Sequence, residues 1–311
     1  MGIRKVNDFV YLIDLKPMGI EDTIASYVLQ GDKIVIIETG PTVSIGNLLG
    51  GLEKIGIKTE EVDYVAVSHV HIDHVGGAGT LLHHLPNAKL LVHGRGAPHL
   101  INPEKLWTHT KQVLGEIAEL YEEIEPVPKE KVIIATDGMK IDLGQNVKLE
   151  VLETLGHASH HLSFYESKGN GIFAGDAAGI YLNKFDVIVP TTPAPFNLEM
   201  TLASIARLTE MKPRNLYYTH FGHVDNAIGR LKDYRDRLEL WAEIIVDEMR
   251  TEDDPKKIYK KILLKDPQIN MVSDFLENHM IFRRGVLMQN IQGFIGYFRR
   301  TSKTASSDKA T

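Results

Sequence analysis

Residues 68–77 read SHVHIDHVGG, which places His69, His71, Asp73 and His74 within six consecutive positions. In an extended chain, residues two apart share a face, so His69 and His71 can aim two imidazoles at one ion. Asp73 and His74 lie beyond them, where the chain turns, and can reach a second point a few ångströms away. Gly76 and Gly77 let the backbone turn tightly without a side chain crowding the site. Imidazole combined with carboxylate suits zinc, iron, manganese or cobalt. The chain of 311 residues has no cysteine, so any metal must be held by nitrogen and oxygen, and disulfides, thiolate sites and cysteine nucleophiles are excluded. Asp176, after the apolar run GIFAG, and His220, after LYYT, are further polar residues at the ends of strand-like segments.

The elements that must position these residues can be read from periodicity. The first ~65 residues alternate like strands (FVYLID, IASYVLQG, KIVIIETG) before the amphipathic IGNLLGGLEKIG. VDYVAVSHV is a buried strand leading into the histidine loop. GAGTLLHHLP reads as a helix stopped by Pro86, AKLLVHG as a strand, and 103–125 as one long helix. A second strand-rich half follows, ending in the helix NLEMTLASIARLTEM and the strand NLYYTH. Strands, helix, strands, helix points to two packed sheets with helices outside, a layered α/β or α+β architecture. From about Asp225 the strand signals stop, so residues 1–225 form the catalytic domain and 226–311 a helical extension, a cap or dimer contact. Its tail is disordered from about residue 301.

HVHIDH resembles the His-x-His-x-Asp-His motif of the metallo-β-lactamase superfamily of hydrolases. TLGHASHHLSF, FAGDAA and YYTHFGH resemble, in order, the family's second histidine segment, its Gly-Asp strand end and its last metal histidine. The resemblance runs over about residues 8 to 223 and points to the glyoxalase II or lactonase-like branch. It implies an α+β fold, an αβ/βα four-layer sandwich of two mixed sheets, with the C-terminal helices added. It also implies that His69, His71 and His157 hold a first metal, that Asp73, His74 and His220 hold a second, and that Asp176 bridges them. The chain departs from the family pattern at Glu38, where the family has Asp, at Leu155 before Gly156, where it has Pro, and at His160, where it has Gly. His161 occupies the place of a histidine that supports the ligands.

Two divalent ions ~3.5–4 Å apart can share a water, lower its pKa toward ~7 and present hydroxide at neutral pH. The resemblance implies a dinuclear hydrolase of this kind, with zinc the leading metal and iron, manganese or cobalt the others. Asp73 would orient the nucleophile and carry a proton to the leaving group. The expected substrates are small molecules with ester-type bonds: lactones, phosphodiesters or phosphotriesters, and thioesters, although no basic cluster suited to a glutathione carboxylate stands out. The irregular, proline-containing stretch 179–200 supplies a cleft wall, with Tyr181 as a catalytic candidate that hydrogen-bonds an oxyanion. The alternative is a mononuclear iron oxidoreductase of the sulfur-dioxygenase type, using His69, His71, His157 and Asp176.

His83, His84, His93, His99, His109 and His223 lack ligand spacing and stay outside the metal set. Residues 1–225 carry 19 Lys/Arg against 28 Asp/Glu, an acidic balance that disfavours a nucleic-acid surface. Residues 226–311 carry 16 against 13, and Arg283, Arg284, Arg299 and Arg300 could attract an anionic group. No stretch approaches the ~20 apolar residues of a membrane span, and no secretory pattern opens the chain, so the expected location is cytoplasmic. A homodimer would form through the C-terminal helices.

Overall fold

Strands β1 (Ile3–Lys5), β2 (Val10–Asp14), β3 (Ala25–Gln30) and β4 (Ile34–Ile37) form an antiparallel meander at the start of the chain. The computed structural model describes residues 2–251, 254–282 and 285–307. Helix α1 (Ile45–Lys54) carries the chain over to β5 (Val62–Ala66), which pairs parallel with β4. The short α2 (Ile72–Val75) and α3 (Ala78–His84) lead to β6 (Lys89–His93). Helices α4 (Ala97–Ile101), α5 (Glu104–Leu114) and α6 (Glu116–Tyr121) lead to β7 (Val132–Ala135), which completes a seven-stranded mixed sheet. The helix expected over 103–125 is thus two helices, broken at Gly115 where φ is 53°.

The second sheet takes β8 (Lys140–Asp142), β9 (Lys148–Glu153), β10 (Leu162–Glu166) and β11 (Gly171–Phe173). A separate hairpin, β12 (Ile180–Leu182) with β13 (Val187–Val189), and helix α7 (Leu198–Glu210) come next. Then β14 (Asn215–Tyr218) pairs parallel with β11, and β15 (Gly222–Val224) closes the edge. The stretch expected to be irregular therefore contains a two-stranded hairpin over 180–189. Its strands are only three residues long, too short for alternation to register.

Side-chain alternation sorts the layers. Leu12, Leu29, Val35 and Ile37 meet Val151, Phe164, Phe173 and Tyr217 in the cluster between the sheets. Their neighbours Ile13, Val28 and Ile36 turn the other way, under α1 and α3. On the far side of the second sheet, Leu152, Ile172, Leu216 and Tyr218 pack against α7 and the C-terminal helices. The result is the expected four-layer α+β sandwich of two mixed sheets.

The C-terminal helices are α8 (Ala227–Thr251), α9 (Pro255–Lys265), α10 (Pro267–Asn278) and α11 (Val286–Ser307). They share one hydrophobic cluster with the β12–β13 hairpin and α7. Trp241 lies at its centre, fully buried, with its Nε1 donating to Asp266 Oδ2 at 3.1 Å. Asp266 also caps α10 by accepting from Ile269 N at 3.1 Å, and it pairs with Arg237 Nε at 2.9 Å. Helix α11 continues to Ser307, so residues 301–307 are helical rather than the disordered tail that their polar composition suggests. The hydroxyl of Thr301 bonds the carbonyls of Tyr297 and Phe298 and so stays within the helix instead of competing with it. Arg283 and Arg284 lie outside the described residues, and Arg300 donates to the carbonyl of Phe196 at 2.7 Å. Among the described residues no helix is long and apolar enough to cross a membrane.

Candidate metal centre

Every candidate ligand leaves the C-terminal end of a strand: His69 to His74 after β5, His157 after β9, Asp176 after β11 and His220 after β14. That edge is where ligand sites assemble on open sheets of this kind. His71 remains extended (φ −72°, ψ 145°) and is followed directly by α2, which carries Asp73 and His74 round to the second position. Gly156, at φ 129°, lets the backbone before His157 pass against α7, where a Cβ would lie 2.1 Å from Thr201 Oγ1.

The seven residues come together as two groups, His69, His71, His157 and Asp176 in one and Asp73, His74 and His220 in the other. In the first, His71 Nδ1 lies 2.8 Å from His69 Nε2 and 3.1 Å from His157 Nε2, and Asp176 Oδ2 lies 3.3 Å from His157 Nε2. In the second, His220 Nε2 is 3.2 Å from His74 Nε2 and 3.4 Å from Asp73 Oδ2. Asp176 Oδ1 faces this second group, 3.3 Å from His74 Nε2. The side chain of Asp73 is 31% exposed, whereas those of His69, His74, His157, Asp176 and His220 are buried, so the centre opens beside Asp73.

Supporting groups set the ring orientations. His157 Nδ1 donates to the carbonyl of Thr191 at 2.9 Å, and His220 Nδ1 to that of Thr23 at 2.8 Å. A carbonyl only accepts, so these nitrogens carry the protons and the Nε2 lone pairs face the centre. Ser68 Oγ bonds His69 Nδ1 at 2.9 Å, and Thr191 Oγ1 donates to Asp176 Oδ2 at 3.1 Å. His161 Nε2 accepts from the backbone N–H of Asp176 at 3.0 Å and its Nδ1 meets Thr154 Oγ1 at 2.8 Å. Glu38, at a left-handed φ of 68°, accepts from Ser68 N at 3.2 Å and places Oε1 3.5 Å from His74 Nδ1.

Burial drives His69, His71, His157 and His161 below the usual imidazole range, His71 to about 3, so they stand neutral with lone pairs available. Burial also lowers His74 and His220, but the carboxylates around them outweigh it and leave both raised: Asp176, Glu38 and Asp73 for His74, Asp73 and Asp176 for His220. Burial alone would raise Asp73, yet His74 and His220 hold it below the ordinary carboxylate range.

These residues suit divalent cations. Asp176 Oδ1 is buried and makes no hydrogen bond, and His74 and His220 point Nε2 atoms at each other. For ligand bonds of ~2.0–2.2 Å a tetrahedral edge is about 3.3 Å. The nearest spacings within each group, from 2.8 to 3.4 Å, lie near that value, and all the ligand atoms of a group fall within 4.8 Å of one another.

The sequence model of the metallo-beta-lactamase superfamily matches residues 19–220, which span every one of these groups. The chain belongs to the metallo-β-lactamase superfamily. Among curated members it is similar to the metallo-beta-lactamase fold-containing protein ST1585 of Sulfurisphaera tokodaii, 31% identical over 224 residues, 70% of this chain and 80% of that one. The crystal structure of ST1585 overlays with a TM-score of 0.64 at 29% identity, covering 75% of this chain and 86% of that chain. The metallo-beta-lactamase family protein TTHA1429 from Thermus thermophilus shares the fold, with a TM-score of 0.70 at 20% identity. The overlay covers 96% of this chain and 95% of that chain, C-terminal helices included. A hydroxyacylglutathione hydrolase of Buchnera aphidicola is 26% identical over 151 residues, 49% of this chain and 47% of its own length.

Within this superfamily framework, one sequence candidate does not join the centre. The hydroxyl of Tyr181 donates to Asp186 Oδ1 at 2.7 Å, in the hairpin turn, and Arg230 lies over its ring. What Tyr181 offers the site is backbone: its N–H donates to the carbonyl of His220 and its carbonyl accepts from Phe221 N at 3.0 Å. His160 stands closer, its ring stacked 6.3 Å from that of His69 and edge-on at 6.4 Å to that of His71. Its buried Nδ1 has no partner among the described residues. Ser68 and Thr191 escaped sequence reading because their roles depend on contacts that no local spacing encodes.

Proposed function

We propose that the seven residues hold two divalent metal ions and that the protein is a hydrolase of ester-type bonds. The observation that carries this reading is the division of Asp176, with Oδ2 3.3 Å from His157 and Oδ1 3.3 Å from His74. A carboxylate so placed could serve two cations, one oxygen facing each group. Such ions, when bound, supply hydroxide at neutral pH and polarise the oxygen of the scissile group.

The chain's own residues then have definite tasks. Asp73, ionised and with a partly exposed side chain, is placed to accept a hydrogen bond from a water and to pass its proton to the departing group. Thr23 and Thr191 lock His220 and His157 through their carbonyls, which keeps the geometry fixed while charge develops. A cavity of about 250 Å³ lies between Ile20, Leu182, Phe185, Phe275 and Phe282. Two lining residues, Asp22 and Leu182, are chain neighbours of Thr23 and Tyr181, which hydrogen-bond His220. The similarity to hydroxyacylglutathione hydrolases puts thioesters beside lactones and phosphodiesters as the bonds to try.

Elemental analysis of protein purified without added metal, paired with hydrolysis of a lactone, a phosphodiester and a thioester before and after chelation, tests the reading. Two ions per chain with chelator-sensitive turnover is the expected result. One iron per chain with oxygen uptake and no hydrolysis would replace it with a mononuclear oxidoreductase on His69, His71, His157 and Asp176.

A further inference from the structure

The segment after β13 runs Pro190, Thr191, Thr192, and Thr191 touches two candidate ligands. Its carbonyl accepts from His157 Nδ1 at 2.9 Å and its hydroxyl donates to Asp176 Oδ2 at 3.1 Å. The backbone on both sides of Thr191 is gripped by one residue of α11. Asn290 Nδ2 donates to the carbonyl of Pro190, and Asn290 Oδ1 accepts from Thr192 N at 2.6 Å. The hydroxyl of Thr192 completes the clasp by donating to the carbonyl of Asn290 at 3.1 Å.

Asn290 is 2% exposed, and it stands on a face of α11 otherwise made of Leu287, Ile291, Phe294 and Ile295. Burying an amide costs free energy unless every polar atom is matched, so packing alone would favour an apolar residue here. Gly293 tightens the contact: a Cβ there would lie 1.6 Å from the carbonyl oxygen of Thr192, so no other residue lets the helix come so near. The polar supports of the second group come from Thr23, Glu38 and Ser68, all on the first-sheet side, with Ser68 reaching His69 of the first group as well.

We infer that Asn290 is a positioning residue of the metal centre, acting through Thr191, which makes the C-terminal helix part of the support of the group His69, His71, His157 and Asp176. The inference rests on reading those residues as ligands.

The test uses the full chain, stripped by chelation and titrated with zinc in competition with a chromophoric chelator. The cobalt-substituted absorption spectrum serves as the second readout. Asn290→Leu keeps the volume and removes both side-chain bonds. It is expected to weaken one ion about tenfold, the low end of the ~10–100-fold typical of outer supports, to leave the other unchanged, and to alter the cobalt bands. Thr191→Val should weaken the same ion, and the double variant should lose less than the sum of the two single losses, because both changes act on one chain of contacts. Asn290→Asp, which keeps the acceptor for Thr192 N, should lose less than Asn290→Leu and serves in its place if the leucine variant does not fold. Folded variants with both affinities intact, with both lowered alike, or with effects that add to those of Thr191→Val would overturn the inference. The wild-type stoichiometry answers separately for the two-metal reading: a single ion sinks that reading and leaves Asn290 testable on the ion present, whereas no ion at all sinks both.

Discussion

Asp176 presents one carboxylate oxygen to His157 and the other to His74, each at 3.3 Å. Either oxygen is therefore indispensable to a different group. Asp176→Asn keeps the shape and removes the charge from both. Its loss should exceed the ~10–100-fold produced by outer supports, with fewer than two ions retained and hydrolysis lost in parallel. Metal content and turnover measured on the same preparation check this, and full activity at unchanged stoichiometry would remove Asp176 from its bridging place.

His160 lies beside His69 and His71 with a buried Nδ1 and no hydrogen-bond partner for it among the described residues, and burial holds its pKa at about 4. A neutral ring with a spare polar atom next to the reacting centre suits a contact with the substrate rather than with a metal. His160→Ala should raise KM by about 5–10-fold, the worth of one hydrogen bond of ~1 kcal/mol or slightly more, with metal content unchanged. A variant that loses metal instead would place His160 among the ligand supports.

Arg237 and Asp266 form a buried pair that ties α8 to α10, with Arg237 also donating to the carbonyl of Ile188 and to Gln268. Removing one partner strands the other charge in the interior. Arg237→Ala should destabilise the fold by about 3–5 kcal/mol, whereas replacing both residues with apolar ones of similar size should cost far less. Urea unfolding of the single and double variants separates the two cases.

Glu166 is fully buried, accepting from Gly169 N at 2.7 Å and from the hydroxyl of Tyr217 at 3.2 Å, and burial raises its pKa to about 7. The folded chain thus keeps a proton that the unfolded chain releases near pH 4.5. Stability from this group is present below pH ~4.5 and is lost as pH rises through about 7, by up to ~3 kcal/mol. Glu166→Gln should flatten that part of the profile. Melting temperatures from about pH 5 to 8 on chelator-treated protein report it, and parallel curves for the two proteins would rule out Glu166 as the cause.

The two clusters of ligand-type residues were legible in the sequence because such residues interrupt apolar strand ends, where chance seldom puts them: His69 after VDYVAVS, Asp176 after GIFAG, His220 after LYYT. The layers were legible because short apolar strands of four to six residues, buried along most of their length, recur between polar and glycine-containing turns. The partner of the Tyr181 hydroxyl, Asp186, was not legible for a local reason, since it sits five positions along in a hairpin whose strands are too short to show a pattern. The support from Asn290 was illegible for the opposite reason. It meets Pro190 and Thr192 across 100 and 98 positions, a pairing fixed only when the helices dock.

Both groups draw on both halves of the chain. His71 meets His157 across 86 positions, and His74 meets His220 across 146. An unfolded chain would have to close loops of those lengths to keep either set together, at an entropic cost of about 4–5 kcal/mol for a loop near 100 residues in the chain-entropy picture. Ions held by the native sets, as proposed, would therefore act as reversible rivets between the sheets in a protein that has no cysteine for a covalent one. Each rivet adds about 2.7 kcal/mol when free metal stands at 100 times its dissociation constant. The endurance of the fold then becomes a gauge of the free metal around it.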